Sequence, residues 1–241
     1  MAFAGFDTGS FPGLEKLKAW RGNSPFQWVG FYLPAPCHSA TGFTPYVGHR
    51  AEIEALGFGM AVIYVGRFQG GCGASKLSRE QGSADGKDAV LTTLQEGFVA
   101  GSTIFLDVER FDPPMSSAMS DYIRGWLNFL KTSSQYNAGI YLHHANFKEI
   151  SQAAQQEYAD IGLPNDRPKY WVLFAGPPFD IATSAPTGCG IPVANIWQGQ
   201  VNVTDEPAHG GVVIKVIDRD VADSANPSAP EAVSEAAGSH S

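Results

Sequence analysis

Eight short apolar segments recur along this chain, and their recurrence constrains the fold more than any other feature of the sequence. Most of them are nearly continuous in Val, Ile, Leu, Phe and Tyr rather than alternating with polar residues. Continuous apolar runs are typical of strands buried on both faces, as in a parallel sheet covered by helices. The predicted strands are Phe3 to Asp7, Trp28 to Leu33, Met60 to Val65, Thr103 to Val108, Gly139 to His143, Tyr170 to Phe174, Val193 to Gln198 and Val212 to Asp218.

Amphipathic segments separate the first six strands and predict helices between them. They run from Gly13 to Arg21, Tyr46 to Leu56, Ala84 to Ala100, Met115 to Lys131 and Asn146 to Ile161. The later connections, 176–192 and 199–211, are rich in Pro, Gly, Thr and Asn and show no helical period. We therefore expect an α/β fold: a TIM-like barrel of eight mainly parallel strands, with five β/α units, three further strands and an incomplete helical ring.

An open, doubly wound sheet would fit the same order of strands and helices. Such sheets hold nucleotide phosphates on a glycine-rich turn between a strand and a helix. No strand here is followed by GxGxxG or GxxxxGK[ST], and the dense glycine cluster from Gly70 to Gly73 leads into a polar loop. The closed barrel is therefore preferred, and no cofactor is expected.

Composition separates a barrel domain, residues 1–222, from a C-terminal tail. From Asp223 to Ser241 the chain has a single valine and no aromatic residue. Such a segment buries too little apolar surface to offset the entropy lost on ordering. We expect residues 223–241 to be disordered.

Charge and hydropathy narrow the range of partners. The chain has 24 acidic and 16 basic residues, a net charge of −8, and no basic patch of the kind that binds nucleic acid. No segment approaches the roughly 18 apolar residues of a membrane span. Residues 1–7 lack the basic and apolar regions of a signal peptide. Localisation stays open, because a leader is removed from exported proteins on maturation.

Cysteine spacing gives no metal motif. Cys37, Cys72 and Cys189 are far apart and form no CxxC or Cys/His pattern. One disulfide with one thiol left over is possible, and the alternative is three ordinary buried cysteines.

Acidic residues cluster where the predicted strands end, which in a β/α barrel is where reactive groups lie. Asp7 ends the first strand, Asp107 and Glu109 end the fourth, and Asp218 ends the eighth. The i, i+2 spacing of Asp107 and Glu109 puts both on one face of the strand, about 7 Å apart. Converging carboxylates raise one another's pKa, which a general acid requires. Asp7 has an alternative role as a helix cap or turn former, and Asp220 ranks second because it is expected near the exit loop.

Polar aromatic residues and an amide also lie near strand ends, and such groups suit sugar rings. The candidate substrate-binding residues are Tyr32, Tyr64, Tyr141, Trp197 and Gln198. A metal site built from Asp107, Glu109 and His143 is a weaker hypothesis, and no metal is predicted.

Five of these segments, taken in order, carry a family resemblance. They resemble the glycoside-hydrolase-like barrels related to the family-25 lysozyme muramidases, and more closely a bacterial branch of unknown function named for a mycobacterial secreted protein. The resemblance covers about residues 3–222. The matching motifs are Gly5-Phe6-Asp7, Asp107-Val108-Glu109, Gly139-Ile140-Tyr141, Trp197-Gln198 and Ile217-Asp218. The helix before the fourth strand carries Gly82-Ser83-Ala84-Asp85 and Gly86-Lys87-Asp88-Ala89, which resemble the Gly-x-x-Asp-Ala motif of that branch.

This resemblance implies residue roles and a substrate class. Glu109 would be the general acid, Asp107 and Asp7 its electrostatic and substrate-positioning partners, and Asp218 the fourth carboxylate of the cleft. The substrate would be an N-acetylated cell-wall glycan such as peptidoglycan. Two alternatives stay open: a catalytically inactive carbohydrate-binding or scaffold protein on the same barrel, and a metal-dependent hydrolase. Oligomeric state is not predicted.

Overall fold

A computed structural model of the chain describes residues 2–38 and 44–231. Eight strands close into a barrel in sequence order, which confirms the predicted fold. The strands are β1 (Phe3–Asp7), β2 (Trp28–Tyr32), β3 (Gly59–Val65), β4 (Thr103–Val108), β5 (Asn137–His143), β6 (Lys169–Leu173), β7 (Ile196–Val203) and β8 (Ile217–Ala222). The helices are α1 (Leu14–Arg21), α2 (Arg50–Ala55), α3 (Arg79–Gln95), α4 (Ser117–Ser133) and α5 (Phe147–Asp160).

One strand of the barrel runs in the direction opposite to the other seven. β1 to β7 run parallel, whereas β8 is antiparallel to both of its neighbours, β7 and β1. The connection from β6 to β7 forms only a short 3-10 turn, Pro186–Cys189, and the connection from β7 to β8 contains no helix. β8 begins five residues later than predicted, because residues 212–216 belong to the connection. The five β/α units and three further strands are as expected.

The barrel interior and the outer layer have separate cores. The interior is filled by side chains that alternate along the strands: Trp28, Ala61, Ile63, Phe105, Trp171, Ile196 and Ala222. The larger outer core lies between the barrel and the helices and includes the buried residues of α1, α4 and α5. Large aromatic residues therefore plug the barrel below its mouth, and polar side chains lie above them.

Two long helices begin at serine caps and pack unusually closely. Ser78 and Ser116 accept hydrogen bonds from the backbone of the first turns of α3 and α4, as N-cap residues do. A Cβ on Gly82 would lie 2.0 Å from the carbonyl oxygen of Tyr122, and one on Gly125 would lie 2.0 Å from that of Arg79. Glycine at both positions permits this approach.

The acidic residue of the first glycine motif in α3 has a structural role. Asp85 is buried and accepts hydrogen bonds from Arg67 Nε at 2.9 Å, Tyr122 Oη at 2.9 Å and Gln81 Nε2 at 2.7 Å. Tyr122 Oη in turn contacts the backbone N–H of Arg67. Asp85 therefore fixes the segment that follows β3 against α3 and α4.

A disulfide joins the loops that follow β2 and β3. Cys37 and Cys72 are bonded, and Cys189 is a buried free thiol. The structure therefore has the arrangement that the sequence allowed, one disulfide with one thiol left over. The alternative of three ordinary buried cysteines is wrong.

Residues 223–231 are ordered, which corrects the predicted disorder for this part of the tail. Asn226 Oδ1 accepts from the backbone of Met60, and Ser228 Oγ accepts from the backbone of Val62 and donates to the carbonyl of Thr103. Short polar side chains pair with strand backbone here, so apolar content alone was a poor guide. The rest of the predicted tail, 232–241, lies outside the described residues.

None of the helices in the described ranges combines the length and hydropathy needed to cross a membrane.

Candidate active site

The reversed direction of β8 brings two carboxylates together at the barrel mouth. Asp7 is the last residue of β1, and Asp218 lies at the start of β8. The two residues are register partners across the antiparallel pair. On the other side of β1, Gly30 of β2 leaves space, since a Cβ there would lie 2.6 Å from Cβ of Asp7. Glycine is therefore needed for Asp7 to occupy its place.

Neutral hydrogen-bond donors, rather than cations, hold these two carboxylates. Gln198 Nε2 donates to Asp7 Oδ2 at 2.8 Å and to Asp218 Oδ2 at 3.0 Å. Tyr32 Oη donates to Asp7 Oδ1 at 2.6 Å, and Tyr141 Oη donates to Gln198 Oε1 at 2.6 Å. This network brings Tyr32, Tyr141 and Gln198 together with Asp7 and Asp218.

The carboxylates of β4 lie at two depths. Asp107 is buried, and none of the residues that the structure describes donates a hydrogen bond to its Oδ1. Glu109 follows the end of β4 and is exposed at the rim of the cleft. Of this pair, Glu109 is therefore the side chain that a bound molecule can reach directly.

Asp220 forms a fifth member of the cluster, below Asp218 on the same face of β8. It is completely buried, and its Oδ1 accepts a hydrogen bond from Trp171 Nε1 at 3.0 Å. Its low rank in the sequence analysis came from placing the end of the eighth strand at Asp218, whereas β8 continues to Ala222. Correct strand bounds would have identified Asp220 by the same i, i+2 spacing.

Burial and mutual repulsion raise the pKa of every carboxyl in the cluster. Burial, followed by the charge of Asp218, raises the pKa of Asp7 to about 7, despite hydrogen bonds from Tyr32, Asp220 and Gln198. Burial raises the pKa of Asp107 well above its ordinary value, and the charges of Glu109 and Asp7 add to this.

The two carboxyls nearest solvent respond in the same direction. The cleft walls exclude water from one side of Glu109 and raise its pKa, against a lowering backbone hydrogen bond from Arg110. Burial raises the pKa of Asp218, while the backbone N–H of Asn202, 2.6 Å from Asp218 Oδ1, lowers it. A cluster of this kind retains protons close to neutral pH, as general acid catalysis requires.

These groups open onto a cleft of about 560 Å³. Its lining contains three of the carboxylates and no Lys or Arg: Asp7, Thr8, Gly9, Ser10, Tyr32, Glu109, Asn202, Val216, Ile217 and Asp218. The volume is within the range of small-molecule and sugar-sized sites.

Two predicted substrate-binding residues do not reach the mouth. Tyr64 faces the helices, where its Oη donates to Asp88 Oδ2 at 3.0 Å and its ring packs against Trp126. Trp197 also faces outward, and its Nε1 donates to the carbonyl of Phe174. Side-chain alternation explains both corrections, because their strand neighbours Ile63 and Gln198 face inward.

The residues of the metal hypothesis do not form a ligand set. His143 Nδ1 accepts a hydrogen bond from the backbone of Ala145 and so caps the turn after β5. Within residues 2–38 and 44–231, no three His, Cys, Asp or Glu side chains converge in a metal-binding arrangement.

Sequence reasoning missed Asn202 and His38. Asn202 lies in the irregular second half of β7 and has a left-handed backbone with φ of 53°; no sequence pattern marks it. His38 stacks on the Tyr32 ring, with centroids 4.8 Å apart, and its Nε2 is 2.9 Å from the carbonyl of Gly9. It follows Cys37, so the disulfide helps to position it.

Comparison with known proteins identifies a family and a shared fold. Residues 18–222 match the family described as "Rv2525c-like, glycoside hydrolase-like domain". No curated protein sequence matches the chain.

Three solved structures share the barrel at low sequence identity. The Mycobacterium tuberculosis Tat-secreted protein Rv2525c, solved with L-tartrate, is 15% identical with a TM-score of 0.56, covering 90% of this chain and 94% of its own. The Clostridium perfringens spore cortex lytic enzyme SleM is 12% identical with a TM-score of 0.57, covering 92% and 67%. The Streptococcus pneumoniae modular autolysin LytC is 13% identical with a TM-score of 0.58, covering 91% and 46%. At these identities the likeness establishes the fold.

Proposed function

This chain belongs to the Rv2525c-like family of glycoside hydrolase-like domains, and from that premise we propose that it hydrolyses an N-acetylated glycan of the bacterial cell wall. The observation that carries the proposal is the cluster of carboxyls with raised pKa at the mouth of the barrel, next to a cleft of about 560 Å³. The names of two structural neighbours, a spore cortex lytic enzyme and an autolysin, support this substrate class.

Glu109 is proposed as the general acid. It lines the cleft at the rim, and its raised pKa keeps it protonated towards neutral pH. A protonated carboxyl there donates its proton to the leaving glycosidic oxygen. The proton passes from Glu109 to that oxygen as the bond to the anomeric carbon breaks. Water then forms the new bond to the anomeric carbon and gives its proton to a carboxylate of the cluster.

The remaining carboxylates are proposed to stabilise the positive charge that develops on the sugar ring. Asp7 and Asp218 line the cleft, and Asp107 lies below Glu109. Charges that are already held in place stabilise a developing charge without reorganising during the reaction. Tyr32, Tyr141 and Gln198 keep Asp7 and Asp218 in place by the hydrogen bonds described above.

Turnover of purified bacterial peptidoglycan, measured as new reducing ends, tests this proposal. Wild type should release reducing ends, and Glu109→Gln should lower the rate by about 10²- to 10⁴-fold, because the amide cannot supply the proton. Glu54→Gln is the matched control, since Glu54 is exposed on α2 and pairs only with Arg50.

Binding measured in the same preparations distinguishes the non-catalytic alternative. A wild-type protein that binds the glycan but releases no reducing ends would refute the hydrolase proposal and favour a binding or scaffold protein. Equal rates in wild type and Glu109→Gln would refute the role of Glu109.

A further inference from the structure

Asp220 is buried at the base of the carboxylate cluster. Its side chain is 0% exposed, and its backbone pairs with Gly5 of β1 and Gln198 of β7. It does not line the cleft, so it does not reach a bound glycan. Any contribution to chemistry must pass through its neighbours.

Among the described residues, only one of the two carboxyl oxygens of Asp220 has an N–H donor. Oδ1 accepts from Trp171 Nε1, whereas Oδ2 is buried and receives no hydrogen bond from an N–H group in this part of the chain. No Lys, Arg or His in the described part of the chain forms an ion pair with Asp220. An ionised carboxylate in this place would carry a large desolvation cost with little compensation.

The missing partner is supplied by Asp7. Asp7 is diagonal to Asp220 across the pairing of β1 with β8, and a hydrogen bond between their side chains lowers the pKa of Asp7 and raises that of Asp220. Two carboxyls form such a hydrogen bond only when they share a proton. Both oxygens of Asp7 already accept hydrogen bonds, from Tyr32 and from Gln198. Asp7 is therefore the acceptor, and the proton belongs on Oδ2 of Asp220.

We propose that Asp220 is a positioning residue that stays protonated and donates a hydrogen bond from Oδ2 to Asp7, which holds the negative charge of this pair on Asp7 at the cleft. With this donor, Asp7 receives three hydrogen bonds, from β2, β7 and β8. The consequence for turnover rests on the proposed hydrolase function; the protonation state does not.

The groups around Asp220 favour its neutral form. Asp218 precedes it on the same face of β8, and Asp7 faces it from β1; both charges oppose its ionisation. On the other strands the mouth contains the acidic groups of Tyr32, Asp107, Glu109 and Tyr141. None of these supplies a positive charge.

Carboxyl ¹³C NMR of the whole chain tests the protonation state without any substrate. The Asp220 signal should keep the chemical shift of a neutral carboxyl from about pH 5 to about pH 8, well above the ordinary Asp range. Asp220→Asn should leave the titration midpoint of Asp7 within about half a unit, because a neutral donor replaces a neutral donor. An ionised Asp220 signal, or a fall of more than about one unit for Asp7, would overturn the proposal.

Kinetics of two variants test the positioning role. Asp220→Asn keeps an acceptor for Trp171 and a donor for Asp7, so kcat should stay within about threefold of wild type. Asp220→Leu keeps the branching at Cγ but removes the donor to Asp7 and the acceptor for Trp171, and kcat should fall about tenfold or more with KM little changed. Equal kcat in the Asn and Leu variants would overturn the role. Absence of turnover in wild type would refute the proposed function instead, and NMR would still decide the protonation state.

Discussion

Gln198 connects two carboxylates that most proteins would neutralise with a cation. Its amide donates to both Asp7 and Asp218, and its own oxygen accepts from Tyr141. An amide positions charge without cancelling it. Burial therefore raises the pKa of both Asp7 and Asp218, and the charge of Asp218 raises the pKa of Asp7 further. At the scale of single residues, the site therefore keeps a group of acidic side chains that lowers the stability of the fold but suits proton transfer to a substrate.

The raised pKa of Asp7 should make the free energy of unfolding depend on pH. The pKa of Asp7 is about 7 in the fold and near 3.9 in an unfolded chain. The stabilisation from its neutral form is present below about pH 4 and is lost as the pH rises through about 7. We expect the free energy of unfolding, measured with urea, to fall over this interval in wild type and to fall less in Asp7→Asn.

Asp205→Asn is the control for that experiment, because Asp205 is exposed in the connection between β7 and β8. It should follow the wild-type pH dependence. An Asp7→Asn variant with an unchanged pH dependence would show that Asp7 titrates normally.

Sequence could identify the carboxylates but not all of their neighbours. Asp107 and Glu109 follow an apolar run. Their position at the end of a buried strand and their i, i+2 spacing together identified them as candidate site residues. Tyr64 and Trp197 were assigned to the mouth because they lie near strand ends. Whether their side chains point into the barrel depends on the register of strand pairing. Register is a property of strand pairing, and only the closed barrel determines which alternate residues point inward.

At the scale of elements, the reversed β8 explains how the cluster assembles. No crossover helix separates β7 from β8, so the chain returns antiparallel. The start of β8, rather than its end, therefore lies at the mouth, and both Asp218 and Asp220 face the interior. The sequence analysis placed Asp218 correctly for the wrong reason, since it took Asp218 as the end of a parallel strand.

The neighbouring β2 contributes space for Asp7 as well as the hydrogen bond from Tyr32. A Cβ on Gly30 would lie 2.6 Å from Cβ of Asp7 and 3.2 Å from Cδ1 of Ile63. Gly30→Ala should therefore displace Asp7, and a displacement of about 1 Å can lower the rate of an enzyme by about 10²-fold. Gly22→Ala, in open space after α1, should keep wild-type turnover. Full activity of Gly30→Ala would show that Asp7 is not needed in its present position.

At the scale of the whole molecule, the two ends of the barrel differ in how the chain covers them. Residues 223–231 pack across the end opposite the mouth, where Ser228 pairs with backbone of β3 and β4. The disulfide between Cys37 and Cys72 joins two loops at the mouth end. One end is thus closed by the chain, and the other keeps its cleft while its loops are tied together.

A chain ending at Ala222 should be less stable than one ending at Glu231. The longer chain keeps the side-chain hydrogen bonds of Asn226 and Ser228. Their loss should cost about 2 to 3 kcal/mol, measured by thermal unfolding of the two chains side by side. Identical unfolding midpoints would show that this segment contributes nothing to stability.

The barrel itself could be predicted because its signal is distributed over the entire sequence. Eight apolar runs and five amphipathic segments each agree with the same architecture, so an error at one boundary, as at β8, leaves the fold unchanged. Residues 223–231 gave no comparable signal, because their short polar side chains form hydrogen bonds to strand backbone that no sequence pattern indicates.

The pH dependence of glycan turnover tests the central claim most directly, namely that the mouth cluster keeps a carboxyl protonated near neutral pH for use as an acid. The rate of wild type, measured as reducing ends released, should decline on the alkaline side as the raised carboxyl pKa is passed. The residual activity of Glu109→Gln should lack this decline. An alkaline limb that is identical in the two proteins would contradict the account, because the titrating acid would then be a group other than Glu109.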